Sequence, residues 1–154
     1  MKIRKDSWLY RNIDEIIEDF SSFGDPIILS LIWLMIFKLS VNYLLIFIFG
    51  MIFIEIIGSA IKIFFFKDRP ERMDYKTTLD KVYAGSFPSI HVARATFVFS
   101  FISTIYTGVL VILFSLIMAG VSFSRLYLRK HYIEDVFGGF VLGLFAIILT
   151  ALFL

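Results

Sequence analysis

Residues 26–66 read PIILSLIWLMIFKLSVNYLLIFIFGMIFIEIIGSAIKIFFF, and in that whole run only Lys38, Glu55 and Lys62 are charged. Wound as one helix it would be about 60 Å long, twice the thickness of a bilayer's hydrocarbon core. The run therefore breaks, and the polar stretch Lys38-Leu-Ser-Val-Asn42 marks where. This reading gives a short span over 24–38 and a longer one over 42–66. The composition agrees. Of 154 residues, 59% are hydrophobic and only 18% charged, against about 45–50% and about 25% in a soluble domain. A water-soluble fold of this length has too little interior to hide so much apolar surface. The expected class is all-α, a multi-span transmembrane helix bundle in a single domain.

Upstream of the run, residues 1–22 are mixed rather than apolar. Trp8, Leu9, Ile13, Ile16, Ile17 and Phe20 fall on one side of a helical projection, and Arg11, Asp14, Glu15 and Glu18 on the other. That pattern suits an amphipathic helix lying in the membrane interface rather than a signal sequence. Asp25-Pro26 reads as a helix start, with the Asp as cap. Downstream, residues 67–87 form the one sizeable polar loop, with basic and acidic residues interspersed around Pro70 and Gly85. Further spans follow at 88–106, 109–125 and 131–154, separated by the Thr107-Gly108 turn and by the basic stretch Arg125–Lys130. The expectation is about five spans plus the interfacial helix. With no Cys, the chain has no disulfides or thiolate chemistry, and a net charge of +2 gives no reason to expect nucleic acid as a partner.

Counting crossings sorts the polar residues. The second span ends at Lys62–Pro70 and the third begins at Pro88–His91; the fourth ends at Ser124–Arg125 and the fifth begins at His131–Asp135. Two crossings return the chain to the same surface, so all four clusters share one membrane face. Their chemistry suits phosphate. Lys62, Arg69 and Arg125 supply positive charge, the arginines as planar forks. Ser89 adds a hydroxyl where a helix N-terminus would offer unpaired amides. His131 and Asp135 stand one turn apart, so the carboxylate can orient the imidazole, and His91 is the one without an acid partner: a nucleophile and acid pair. Taken singly, a Lys or Arg at a span end is usually a snorkelling anchor; it is the set that points to phosphate. Below the face, Glu55 and Arg94 lie inside spans where lone charges are costly, and they are expected to pair. Gly139 and Gly143 continue the ridge of His131 and Asp135, where small residues permit close helix packing.

The sequence resembles the type 2 phosphatidic acid phosphatase family of integral membrane lipid phosphatases, whose core is shared with vanadium haloperoxidases. Its three motifs are Lys-x6-Arg-Pro, Pro-Ser-Gly-His and Ser-Arg-x5-His-x3-Asp. Here they stand as Lys62 to Arg69-Pro70, Pro88-Ser89-Ile90-His91, and Ser124-Arg125 to His131 and Asp135. One position departs, Ile90 for Gly. The resemblance implies a metal-free, cofactor-free mechanism. His131 would attack phosphorus to form a phosphohistidine, Asp135 would orient it, and His91 would protonate the leaving oxygen and then activate water. Lys62, Arg69, Ser89, Arg125 and the Ile90 amide would hold the phosphate oxygens.

The expected function is hydrolysis of a phosphomonoester or diphosphate on a lipid headgroup, sensitive to vanadate. The candidate substrates are phosphatidylglycerol phosphate, a polyprenyl diphosphate, phosphatidic acid and a lipid A phosphate. The alternatives are a non-catalytic phospholipid-binding membrane protein or a small transporter. Partners are thus the lipid phosphate and the bilayer. The expected location is the cell (inner) membrane. The distribution of basic residues favours a cytoplasmic site, whereas the family's bacterial members favour the outer face, and the outer face is the expectation carried forward.

Overall fold

The computed structural model describes residues 8–25 and 40–152. Within them the fold is all-helical: α1 (Trp8–Ser22), α2 (Val41–Phe64), α3 (Thr78–Ala84), α4 (Ile90–Ile105), α5 (Val109–Tyr127) and α6 (Ile133–Ala151). The span expected over 24–38 falls almost wholly outside the described residues. Among those described, α2, α5 and α6 are long and apolar enough to cross a membrane. They carry their apolar side chains outward. On α6 the exposed residues Ile133, Phe137, Val141, Phe145 and Ile148 recur every three or four positions, a stripe that faces lipid in a bilayer.

α4 is different in kind. At 16 residues it is shorter than a standard crossing, about 24 Å long. It is packed by α2, α5 and α6. Val92, Ala93, Phe97, Val98, Phe101 and Ile102 are all essentially inaccessible. Its apolar residues therefore lie all round rather than on one stripe, as expected for a helix wholly inside a bundle. Phe97 and Phe101 meet Phe47 of α2 with ring centroids 5.8 and 5.7 Å away, within the range of favourable aromatic contact.

α6 lies against α4 through its glycines, as their spacing predicts. A Cβ on Gly139 would come 2.3 Å from the Ser89 carbonyl oxygen, and one on Gly143 would come 2.4 Å from that of Ala93. Without a hydrophobic force between helices in lipid, such backbone proximity is a main source of their association. Gly143→Val is therefore expected to cost about 3 kcal/mol, measured as a lower unfolding temperature in detergent. An unchanged temperature would show that the two helices do not pack this closely.

The loop over 67–87 contains a helix that the hydropathy pattern does not announce. Thr77 caps α3, its hydroxyl accepting from the Asp80 amide at 3.1 Å while the Asp80 carboxylate accepts from the Thr77 amide at 3.0 Å. This reciprocal box satisfies two of the donors a helix start leaves unpaired. α1 packs against α5. The Tyr127 hydroxyl donates to Asp14 at 3.1 Å, and the Phe20 ring occupies the space beside Gly120.

Candidate active site

The ends of α2, α4, α5 and α6 meet at one end of the bundle, and the parity argument is realised there. Lys62, in the last turn of α2, is buried and donates to the Gly85 carbonyl at 3.0 Å. Ser89 is the N-cap of α4, fully buried, and its side chain makes no capping bond. Its amide instead donates to the Asp135 carbonyl oxygen at 2.9 Å. That bond ties the start of α4 to the start of α6 and so holds the second and third motifs together. Arg125 is buried in the last turn of α5, its guanidinium donating to the Ser21 hydroxyl.

Among the described residues, five buried side-chain polar atoms have no hydrogen-bond partner: Arg69 Nε, Ser86 Oγ, Ser89 Oγ, Thr96 Oγ1 and Arg125 Nε. Buried donors are almost always paired, and three of these belong to residues expected to bind phosphate. An anion with several acceptor oxygens is the chemistry that would satisfy them. Ile90 presents its amide in the first turn of α4. Its side chain turns away into the core, where it packs over Gly58. The branched residue is accommodated in ordinary helical geometry, and no positive φ is recorded for it.

His131 is nearly inaccessible. Its Nδ1 lies 2.7 Å from the Ser86 carbonyl oxygen. A carbonyl can only accept, so Nδ1 carries the proton and the neutral ring keeps its lone pair on Nε2. Asp135 stands behind, 3.9 Å from Nδ1, beyond hydrogen-bonding distance. Its carboxylate is otherwise engaged. Oδ2 accepts from the Tyr132 amide at 2.7 Å and Oδ1 from Lys67 at 2.8 Å. The contact that fixes the His131 ring thus comes from a backbone carbonyl, with the carboxylate in reserve. Burial first, and then Arg125, Arg69 and Lys62, push the His131 imidazole well below its usual range. It is a neutral nitrogen base among cations.

His91 also differs from its sequence reading. It is not the histidine without an acid partner: its Nε2 lies 2.9 Å from Asp25 Oδ1. The expected Glu55–Arg94 pair is present, Arg94 Nε donating to Glu55 Oε1, and Arg94 also donates to the Gly24 carbonyl at 3.1 Å. Lys67 completes the surroundings by bridging Asp135 and Glu134 at 2.8 Å each. Burial alone would lower its pKa, and the hydrogen bonds to Asp135 and Glu134 outweigh that and raise it. It is a fixed cation that pins the loop to α6.

Asp25, Lys67 and Ser86 were not among the sequence candidates. Asp25 carried a capping signal only, and Lys67 lay within a run of mixed charge. Ser86 acts through its backbone carbonyl, which any residue could supply.

A buried cluster of cations and two imidazoles, built where the helix ends meet at one end of the bundle, has the chemistry to hold a phosphate group. Residues 43–154 match the PAP2 superfamily. The match covers well over half of the chain, and the chain belongs to that family of lipid phosphatases. The fold is also similar to that of LpxE from Aquifex aeolicus, with a TM-score of 0.76 at 20% sequence identity, covering 90% of this chain and 85% of the other. No curated protein matches the sequence.

Proposed function

We propose that the protein hydrolyses a phosphate ester or diphosphate on a lipid headgroup through a phosphohistidine on His131. The observation that carries this reading is the contact between His131 and the Ser86 carbonyl. The Ser86 carbonyl holds Nδ1 at 2.7 Å, which leaves Nε2 as the nucleophilic nitrogen amid Arg69, Arg125 and Lys62.

The phosphoryl group would rest on Arg69, Arg125, Lys62, the Ser89 hydroxyl and the Ile90 amide. These fixed donors stabilise the negative charge spread over the equatorial oxygens in the transition state. As the His131 Nε2–P bond forms, the P–O bond to the lipid breaks. His91, as imidazolium, gives its proton to the departing oxygen. The neutral His91 then takes a proton from water, whose oxygen attacks phosphorus and breaks the P–N bond, releasing inorganic phosphate. Nothing in this cycle calls for a metal ion, and the cationic pocket disfavours one. The substrate is proposed to be one of phosphatidylglycerol phosphate, a polyprenyl diphosphate, phosphatidic acid or a lipid A phosphate. The site is proposed to open at the outer face of the inner membrane.

The test is phosphate release by purified protein from each of the four lipids. Release from one or more of them, inhibited by vanadate and retained in EDTA, is expected. No release from any lipid, with phospholipid binding or liposome flux instead, would favour a binding protein or a transporter. Complete loss in EDTA, restored only by a divalent ion, would overturn the metal-free cycle. Because the chain has no cysteine, labelling a single Lys76→Cys variant in intact cells reports the face of the exposed loop directly.

A further inference from the structure

Residues 21–25 lead out of α1 and make three separate contacts, with two buried arginines and with His91. The Ser21 hydroxyl accepts from Arg125, the Gly24 carbonyl accepts from Arg94 at 3.1 Å, and Asp25 Oδ1 lies 2.9 Å from His91 Nε2. Gly24 permits the approach, since a Cβ there would come 2.8 Å from that of His91. The segment is therefore fitted against the imidazole and is not merely near it.

The charges around His91 give the contact its meaning. Facing it are Arg125 from α5, Arg94 from its own helix, Lys62 from α2 and Arg69 from the loop. Glu55, the carboxylate below, is taken up by Arg94. Asp25 is the carboxylate in hydrogen-bond contact with the ring. An acid that must hold a proton among four cations needs such a partner, because an adjacent carboxylate favours the charged imidazolium and fixes its orientation.

We propose that Asp25 is a positioning residue for His91, forming a second histidine–carboxylate pair in which the N-terminal helix contributes to the active site. The inference rests on the phosphatase reading above. Asp25 accepts the Nε2–H bond in both halves of the cycle. The proton exchanged with the leaving oxygen and with water then resides on Nδ1. Asp25 does not itself take up or release a proton.

Two experiments test this. The first compares Asp25→Asn and Asp25→Glu with the parent protein on short-chain phosphatidic acid in detergent micelles. Asp25→Asn is expected to lower kcat about 30-fold with KM within threefold, and to move the kcat optimum about one pH unit toward acid. Asp25→Glu should restore part of both. A loss of folded protein with an unmoved pH profile would mean that Asp25 is merely structural. A rise in kcat, or a fall in KM, would mean that Asp25 obstructs the pocket. Either result overturns the proposal.

The second experiment needs no activity. The chain has only two histidines, so His131→Gln leaves His91 as the sole imidazole of protein purified without a histidine tag. Its ring ¹⁵N shifts, followed with pH, should show the imidazolium persisting about one unit higher when Asp25 is present than when Asp25→Asn is added to the same background. The neutral ring should carry its proton on Nε2. Equal titration in the two proteins overturns the pair. If the parent releases no phosphate from any lipid, the phosphatase reading falls while the titration still decides whether the pair exists. If the parent is active and Asp25→Asn is indistinguishable from it, the pair alone falls.

Discussion

Replacing His131 with Ala is expected to reduce phosphate release by roughly four orders of magnitude or more, the largest loss of any single substitution in the chain. The nitrogen that would bond phosphorus is removed, and nothing nearby can replace it. Lys62 is committed to the Gly85 carbonyl, and His91 is engaged by Asp25. Asp135→Asn should behave differently. The His131 ring keeps its hydrogen bond to the Ser86 carbonyl, so the tautomer survives. What is lost is the negative charge 3.9 Å from Nδ1 and the full partnership with Lys67. A residual activity of about 1% is expected, consistent with a group that supports the nucleophile without being it. Single-turnover phosphate release, with trapping of acid-labile phosphoenzyme, measures both. Near-normal activity for His131→Ala would eliminate the phosphohistidine. Equal loss in the two variants would show that Asp135, not Ser86, governs the ring.

The contrast between Ser86 and Asp135 shows where sequence reasoning succeeds and where it stops. Lys62, Arg69, Ser89, Arg125 and His131 can be assigned to one surface from the sequence, because a bilayer admits only whole crossings and parity does the rest. Glu55 and Arg94 could be matched because helical rise converts residue number into depth. Gly139 and Gly143 could be read because i, i+4 spacing puts both on the ridge below His131. Each of these inferences uses the length, rise or periodicity of a helix, which the sequence displays. Asp25, Ser86 and Lys67 reach the site from segments between helices, and their placement depends on the path of the chain, which periodicity does not encode. The α3 cap is an intermediate case. Thr77 and Asp80 carry the Thr-x-x-Asp spacing of a capping box, a signal present in the sequence but obscured by the surrounding charges. The central position of α4 was hidden for another reason. A helix buried all round and one that spans lipid both read as continuous apolar runs, and only its neighbours distinguish them.

The Glu55–Arg94 pair should produce the largest stability effect among polar substitutions. Arg94 is buried and Glu55 partly exposed on α2, at a depth where either charge alone is costly. Removing one partner strands the other, so Glu55→Gln and Arg94→Gln should each destabilise the protein by about 2–3 kcal/mol. The double variant should recover part of that loss. The two single variants should not be equal. Arg94 also donates to the Gly24 carbonyl, the residue preceding Asp25, so its loss loosens the segment against His91 as well as the interface between α2 and α4. Arg94→Gln is therefore expected to lower both the unfolding temperature and kcat, and Glu55→Gln mainly the temperature. A double-mutant cycle on thermal unfolding in detergent, run beside the kinetics, separates the two roles. A coupling energy near zero would show that the charges do not pair. Equal kinetic losses in the two single variants would show that Arg94 exerts no separate hold on the segment that carries Asp25.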